Sequence, residues 1–289
     1  MKLCVVNFSV SNGGNFLIEK RMNSLIKRTW PEARIDYVNG IDNTYDYSNQ
    51  YDAVIGGGGS YYDDRIIESI FVPFFGETIK GIKFHLIGSG VYWEDYLDNA
   101  IYSKTFSPTM MRFFESIEVN GGTLSCRDQL SWQILNNNGI KELYMTECPA
   151  WYNFNYIDIT EPRFIGKFNK IIMSDPDITK ATEEQDVRAT QAIEVIKTVK
   201  EMFPEARLVF TFNNGINTKY SSICNNRIKD YLENQGIDYI DLSRDEKKFT
   251  AYDDADLHIG FRVYSHIYSL SRRITSVLIE EDLRGGGNE

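Results

Sequence analysis

The chain of 289 residues is 42% hydrophobic and 25% charged, with a formal net charge of −10. This composition is typical of a globular protein with one large or two medium domains, and the negative charge argues against non-specific binding to nucleic acid or to an anionic membrane surface. No apolar run approaches the ~20 residues that a membrane-spanning helix needs.

The four cysteines are far apart and form no CxxC pair. Together with only three histidines they do not indicate a zinc site. We interpret Cys4, Cys126, Cys148 and Cys224 as reduced, mostly packed thiols of a cytoplasmic protein. The amino-terminal run MKLCVVNFSV is short and contains Asn7, so it predicts a first strand rather than a signal peptide.

Predicted strands alternate with predicted helices in the first half of the chain, and glycine-rich turns follow several of the strands. This alternation is typical of a parallel sheet covered by helices on both faces. Helices are predicted at residues 16–29 and 127–135, and strands at residues 3–8, 35–38, 51–55, 83–87, 118–126 and 142–145.

The segment 152–168 is rich in Asn and aromatic residues and interrupts the alternation. We interpret it as the crossover between an amino-terminal Rossmann-like domain, residues 1–160, and a carboxyl-terminal one, residues 161–289. The second half again alternates, with helices predicted at 182–203, 223–235 and 261–270 and strands at 170–173, 208–212, 239–242, 257–259 and 277–279.

The two halves also echo each other in sequence. A helix is followed by WPEAR at residues 30–34 and by FPEAR at residues 203–207, and later come DAVIG at 52–56 and DLHIG at 256–260. This echo favours a duplicated α/β unit with a ligand cleft between the two copies.

Glycine-rich turns after strands are the first candidate binding elements. Gly56, Gly57, Gly58 and Gly59 can present backbone N–H groups to an anion or a sugar hydroxyl, because no Cβ blocks the approach. They fit neither the Walker A pattern nor the Rossmann GxGxxG spacing, and a tight turn without a ligand is the alternative. The turn at residues 12–15, with Asn12, Gly14 and Asn15, is a second candidate for the same crevice.

Charged residues at predicted strand ends are the second group of candidates. Arg127 opens a helix together with Asp128, either as a clamp on substrate or with Asp128 as a favourable charge near the helix amino terminus. Arg284 follows a strand's carboxyl end, where ligands gather in such folds, unless it belongs to a solvated tail.

Arg262 and His266 are four residues apart and share one face if the helix begins at Phe261. The Arg fork can pair with carboxylate or phosphate, and the His can transfer protons near neutral pH. The alternative for His266 is a packed, hydrogen-bonded core residue. His258, within a strand, is interpreted as structural.

Several of these segments, taken in their order, resemble the polysaccharide pyruvyl transferase family over nearly the whole chain. They are DAVIGGGGS at 52–60, GSG at 88–90, SCRDQLS at 125–131, ECPAW at 147–151 and ADLHIGFRVYSH at 255–266 with EEDLR at 280–284. The resemblance implies two Rossmann-like domains with parallel sheets in a GT-B-type arrangement. It also implies transfer of pyruvate from phosphoenolpyruvate onto two hydroxyls of a sugar, which gives a cyclic ketal on a cell-surface polysaccharide.

For this reaction phosphoenolpyruvate is the co-substrate, and neither a further cofactor nor a metal is expected. Arg127, Arg262 and Arg284 would supply cations for its carboxylate and phosphate, and His266 or Tyr264 would move the proton. The partner would be a glycan or a lipid-linked sugar acceptor. Peripheral membrane association through that acceptor and a homo-oligomeric state are left open by the sequence.

The chain departs from the family pattern at three positions. The family usually has Arg-x-His, but Tyr264 stands in place of that His; Arg284 stands where Lys is common, and Asn15 where Asp is common. Two other functions therefore stay open: a glycosyltransferase that uses a nucleotide sugar, and a non-catalytic relative of the family.

Overall fold

The computed structural model describes residues 1–7, 12–39, 50–71, 81–92, 99–163, 166–177, 182–216 and 222–281. Parallel strands alternate with helices throughout, so the predicted α/β class is confirmed. The strands are β1 (Lys2–Asn7), β2 (Arg34–Asn39), β3 (Ala53–Gly57), β4 (Phe84–Ser89), β5 (Thr123–Cys126), β6 (Leu143–Met145), β7 (Lys170–Ser174), β8 (Arg207–Phe212), β9 (Asp238–Asp241), β10 (Leu257–Gly260) and β11 (Thr275–Leu278).

The α-helices are α1 (Gly13–Thr29), α2 (Asp64–Ile66, continued by a π-helical turn at Ile67–Phe71), α3 (Pro108–Val119), α4 (Gln129–Asn137), α5 (Thr182–Met202), α6 (Ser222–Gln235) and α7 (Val263–Leu270). Short 3-10 helices lie at Asn99–Ser103, Pro149–Trp151 and Glu246–Tyr252.

Two parallel sheets organise these elements. The first has six strands in the order β2-β1-β3-β4-β5-β6, and the second has five in the order β9-β8-β7-β10-β11. In each sheet the first strand along the chain lies inside, so the strand order reverses beside it, between β1 and β3 and between β7 and β10. Ligands of open parallel sheets bind at such reversals, outside the carboxyl ends of the strands.

Helices cover both faces of the first sheet. On one face Val54 and Leu86 join a buried cluster with Phe113 and Ile117 of α3. Residues with the opposite orientation, such as Ile55, pack against α1. Strands buried on both faces must be apolar at successive positions, which explains the continuous runs LCVV and AVI.

One predicted strand was partly wrong. Residues 118 and 119 end helix α3, and β5 begins only at Thr123. Ser107 caps this helix by accepting a hydrogen bond from the Met110 N–H at 3.2 Å, and Pro108 occupies its first turn. Serine as N-cap followed by proline is a favourable helix start that the apolar pattern alone did not reveal.

The sequence echo corresponds to a repeated structure. Ala33 N–H donates to the Trp30 carbonyl at 3.0 Å, and Ala206 N–H donates to the Phe203 carbonyl at 3.1 Å. In both halves the turn lies between a long helix and the next strand. The two copies of the motif therefore fold alike, although they serve different sheets.

The chain divides into two compact units. Among the described residues, one comprises 1–7 and the described part of 18–150, and the other comprises 12–17 and the described part of 151–281. The main division thus falls after Ala150, before the boundary predicted at residue 160. Within the described ranges, no helix combines the length and the apolar character that crossing a bilayer requires.

The repeated aspartates at the strand starts generate a test. Asp256 is 7% exposed, and its carboxylate accepts from the N–H groups of Asn169 at 2.7 Å and Lys170 at 3.1 Å. Its counterpart Asp52 is exposed and accepts from the Lys2 N–H at 2.7 Å. Asp256→Ala should lower the free energy of unfolding by about 1–3 kcal/mol, because two N–H groups lose their partner.

Asp52→Ala is the matched control. It should lower the free energy of unfolding by less than Asp256→Ala does, since water replaces the lost acceptor. Urea unfolding monitored by circular dichroism measures both. Equal losses at the two positions would contradict the assignment.

Candidate functional site

The reversal point of the second sheet carries a buried ion pair. Arg262 comes after Phe261 at the end of β10, and Asp175 directly follows β7. Arg262 Nε donates to Asp175 Oδ1 at 2.9 Å, and Nη2 donates to Oδ2 at 3.1 Å. The side chains are 7% and 0% exposed. Two adjacent strand ends are therefore joined by a two-pronged salt bridge, the geometry in which Arg holds a carboxylate most firmly.

The remaining donors of Arg262 also have partners. Nη1 donates to Asp177, and Nη2 donates to the Pro176 carbonyl. With the Asn214 amide oriented so that its oxygen faces the guanidinium, this oxygen accepts from both Nη1 and Nη2 at 3.1 Å. A guanidinium has five N–H groups, and each of them thus has an acceptor within the protein. Burial disfavours the charged form, but Asp175 and Asp177 outweigh burial and raise the pKa of Arg262.

Glu281 continues this cluster of charges at the end of the described chain. It accepts from the Asp177 N–H at 2.6 Å and pairs with Arg188 of α5 at 2.5 Å. Burial raises the pKa of Glu281 to about 7, and Arg188 opposes this rise.

The ring of Tyr264, a residue of α7, packs against the turn at which α1 begins. A Cβ on Gly14 would be 2.0 Å from the Tyr264 ring, so only glycine fits beneath it. The N–H of Gly14 donates to the Asn12 side chain at 2.9 Å, and the N–H of Asn15 to the Asn12 carbonyl at 3.1 Å. The Gly13 N–H is also used, by the Asn213 carbonyl at 3.1 Å. The amino terminus of α1 is therefore capped by the protein itself.

His266 points to a different place from Arg262. Helix α7 begins at Val263, with Arg262 as its extended N-cap, so the shared face expected from a start at Phe261 is not formed. His266 Nδ1 lies 2.8 Å from Ser276 Oγ, and His258 Nδ1 lies 2.7 Å from the same oxygen. Burial lowers the pKa of His266 to about 4 and that of His258 to about 3, where the His266 charge also contributes.

The glycine run of the first unit is largely occupied by protein contacts. Gly56 and Gly57 belong to β3 rather than to a loop, and the Gly58 N–H donates to the Ile87 carbonyl at 2.9 Å. A Cβ on Gly58 would lie 2.6 Å from Ile18, and one on Gly59 2.4 Å from the Tyr61 ring. Close packing of α1 and of Tyr61 therefore explains these glycines without a ligand.

Arg127 keeps one hydrogen-bond donor without an acceptor in the described part of the chain. Its side chain is 4% exposed, and Nε donates to Asp128 at 3.2 Å. Among the residues that the structure describes, its buried Nη2 has no hydrogen-bond partner. A Cβ on Gly90 would be 2.3 Å from Nε, so the guanidinium lies directly over that glycine. Such an unpaired buried group costs about 1–3 kcal/mol and is typically explained by a water, an ion or a ligand.

A cavity of about 530 Å³ lies elsewhere on the first unit. Its lining is mostly apolar and includes Leu3, Met22, Ile26 and Ile55, at the amino-terminal half of the strands. None of the residues predicted as site residues lines it. This cavity therefore does not lie at the strand ends where ligands of this fold class bind.

Three further predictions concern Arg284, metal ligands and the cysteines. Arg284 lies outside the described residues. In the described part of the chain no group of three or more His, Cys, Asp or Glu is arranged to hold a metal ion. The four cysteines are free and buried, which confirms the interpretation of packed thiols.

Four residues of these strand ends are not among those predicted from the sequence: Asp175, Asp177, Glu281 and Ser89. The signal for the first two was present, because SDPD follows directly on the predicted strand 170–173, at the edge where Arg262 was expected. Glu281 was noted only as part of a charged strand end. Ser89 was quoted only within a glycine motif.

Comparison with protein families gives one match, to polysaccharide pyruvyl transferase, over residues 12–189. The match includes the glycine run and Arg127 and covers more than half of the chain. It ends before Arg262, so the carboxyl-terminal site residues rest on the resemblance alone. A comparison with curated proteins finds no match.

Solved structures share the fold at low sequence identity. A protein described as a UDP-N-acetylglucosamine 2-epimerase from Listeria monocytogenes superposes with a TM-score of 0.59 at 9% identity, over 98% of this chain and 80% of that one. The S. aureus protein MnaA in a structure with UDP gives 0.54 at 10% identity, over 97% and 80%. These likenesses extend over both units and show the fold alone.

Removal of the Arg262 guanidinium should be strongly destabilising. Arg262→Met leaves Asp175 buried without its counter-charge, and loss of one partner of a buried pair costs about 3–5 kcal/mol. Arg207→Ala, in an exposed pair with Asp238, is the control and should cost below about 1 kcal/mol. Urea unfolding measures both, and a stable Arg262→Met variant would refute the structural role.

The depressed pKa of His266 predicts a pH dependence. The unfolded chain binds a proton near pH 6.5, whereas folded His266 resists it down to about pH 4. As the pH falls through this window, His266 lowers the free energy of unfolding by up to about 1.4 kcal/mol per pH unit. In His266→Gln this contribution disappears. Unfolding at pH 5 and 7.5 should therefore differ less in the variant than in the wild type, and an unchanged difference would contradict the burial of the ring.

Proposed function

Because the chain belongs to the polysaccharide pyruvyl transferase family, we propose that it transfers pyruvate from phosphoenolpyruvate to a sugar of a cell-surface glycan or its precursor. The family match over residues 12–189 carries this proposal. The acceptor is a glycan or a lipid-linked sugar, and the product is a cyclic ketal. Peripheral membrane contact would then come through the acceptor.

The donor needs several hydrogen-bond donors, since it carries a carboxylate and a phosphate. Arg127 is suited to this role because Nη2 has no acceptor among the described residues. Arg262 is less suited, since a ligand anion would have to displace Asp175, Asp177 or Asn214. We therefore assign Arg127 to donor binding and Arg262 to positioning of the strand ends. Arg284 is kept as a second cation.

The reaction has a simple proton balance. One sugar hydroxyl adds through its oxygen to C2 of phosphoenolpyruvate and gives up its proton, while C3 gains a proton as the C2–C3 double bond is lost. The second hydroxyl then attacks C2 and gives up its proton, and the C2–O bond to phosphate breaks, so that inorganic phosphate leaves with that proton. A group must deliver the proton to C3, and general acid catalysis of this kind contributes about 10²–10⁴-fold.

We assign this proton to Tyr264 rather than to His266. His266 is hydrogen-bonded to Ser276, and its pKa near 4 leaves the ring neutral at physiological pH. Tyr264 occupies the position of the family's His and lies beside the turn at Gly14, at the carboxyl edge of the second sheet. A phenol can donate a proton without first being charged.

Release of inorganic phosphate from phosphoenolpyruvate, measured with a panel of glycan precursors as acceptors, tests the function. The wild type should turn over with at least one acceptor. Tyr264→Phe should lower kcat by about 10²–10⁴-fold and leave KM for phosphoenolpyruvate unchanged, since only the proton donor is lost. His266→Gln is the control and should retain kcat.

A second candidate is a glycosyltransferase that uses a nucleotide sugar, favoured by the similar structure solved with UDP. Thermal stabilisation by UDP-hexosamines but not by phosphoenolpyruvate would favour it and contradict the pyruvyltransferase proposal. Binding of phosphoenolpyruvate without turnover would instead favour a non-catalytic relative.

A further inference from the structure

The cavity of the first unit lies between helix α1 and the sheet. Side chains of three adjacent strands form its floor, Leu3 of β1, Ile55 of β3 and Ile87 of β4. Leu25 of α1 and Trp30, which directly follows this helix, form its wall. The volume of about 530 Å³ falls within the roughly 300–1,000 Å³ of small-molecule sites. The cavity is therefore large enough for an organic ligand.

Apolar side chains of this cavity remain in contact with solvent. Leu25 and Ile87 are half-buried, and Trp30 is 48% exposed. On the opposite face of the same sheet, Phe84 and Leu86 are fully buried in the cluster to which α3 contributes. Removal of apolar surface from water is favourable. A hydrocarbon chain that covers Leu25, Ile87 and Trp30 therefore binds favourably.

One end of the cavity carries a lysine. Lys83 directly precedes β4 and is two residues from His85, so the two side chains lie on the same face of the sheet. Lys83 Cε is 3.9 Å from where a Cβ of Gly121 would stand, and Gly121 also lines the cavity. In the described part of the chain the Lys83 ammonium group has no hydrogen bond and no ion pair. It is therefore available to an anionic ligand group.

His85 supplies a second polar group at this end. Its Nδ1 is 2.8 Å from Thr123 Oγ1, which leaves Nε2 for another partner. Burial lowers the pKa of His85, and the Lys83 charge lowers it further, so the ring is neutral at physiological pH. A neutral imidazole offers a hydrogen bond without a second charge.

Asp52 is the acidic residue of the lining. Its carboxylate accepts from the Lys2 N–H at 2.7 Å. It precedes Ala53, which packs on the α1 face, so alternation along the strand directs Asp52 away from the face of Lys83. The α1 face of this cavity end thus carries the single positive charge of Lys83, which a singly charged carboxylate balances and a phosphate dianion exceeds.

We propose that this cavity binds a fatty carboxylate, with the hydrocarbon chain over Leu25, Ile55 and Ile87 and the carboxylate at Lys83 and His85. The site goes beyond the proposed function and does not depend on it, since the cavity lies away from the carboxyl ends of the strands.

Calorimetric titration of the full chain with octanoate, butyrate, 1-octanol and octyl phosphate tests the site. Octanoate should bind at least about tenfold more tightly than butyrate, because four more CH₂ groups are buried. It should bind about fivefold more tightly than 1-octanol, because only the carboxylate pairs with Lys83. Octyl phosphate should bind more weakly than octanoate.

Lys83→Gln should lose the preference for octanoate over 1-octanol and keep the preference for octanoate over butyrate. Lys141→Gln is the matched control, because Lys141 is exposed and lies outside the lining. It should bind all four ligands as the wild type does.

Leu25→Trp places a larger side chain in the cavity and should abolish binding of octanoate and 1-octanol. Trp30→Ala removes part of the wall at a position that is 48% exposed, and should weaken binding of both ligands. Thermal unfolding of each variant confirms that it is folded under the titration conditions.

Equal affinity of the wild type for octanoate and butyrate, or binding of neither, would overturn the proposal. Octanoate binding that is unchanged in Lys83→Gln and in Leu25→Trp would do the same, and tighter binding of octyl phosphate would refute the carboxylate headgroup. Self-association in sedimentation that Trp30→Ala abolishes, without octanoate binding, would assign this surface to a second copy of the chain instead.

Discussion

The buried pair of Arg262 and Asp175 is the interaction on which the carboxyl edge of the second sheet depends. It closes the reversal point between β7 and β10, where an open parallel sheet otherwise leaves a crevice. Asp175 also accepts from the Asn213 N–H and side chain at 3.1 Å each, so the end of β8 is tied in as well. Three neighbouring strand ends are thus held by one carboxylate.

Two arginines at comparable strand ends differ in how completely their guanidinium groups are hydrogen-bonded. The guanidinium of Arg262 has an acceptor for every N–H, whereas that of Arg127 retains a buried nitrogen without one among the described residues. A satisfied guanidinium contributes to the rigidity of the site, while an unsatisfied one retains the capacity to bind a ligand. The residue type alone therefore does not distinguish a positioning arginine from a binding one, but the number of acceptors around it does.

Much of the fold followed from patterns that are local in the chain. Continuous apolar runs predicted parallel strands because both faces of such strands are buried, and the repeats WPEAR and FPEAR marked turns with the same hydrogen bonds. The α3 helix was missed because its apolar residues were considered without their Ser107 cap. The helix start at Val263 was missed because the extended conformation of Arg262 follows from its ion pairs with residues more than 80 positions away.

The sequence by itself determined the α/β class, the two repeated units and the strand ends where polar residues collect. The spacing of apolar residues and the positions of glycines carry this information, and both are properties of short segments of the chain. Only the tertiary structure decided which of these residues have partners. It placed Asp175 and Asp177 on Arg262, Ser276 between His258 and His266, and Gly14 under Tyr264. Such pairing depends on strand order and on burial, and neither of these is a local property of the chain.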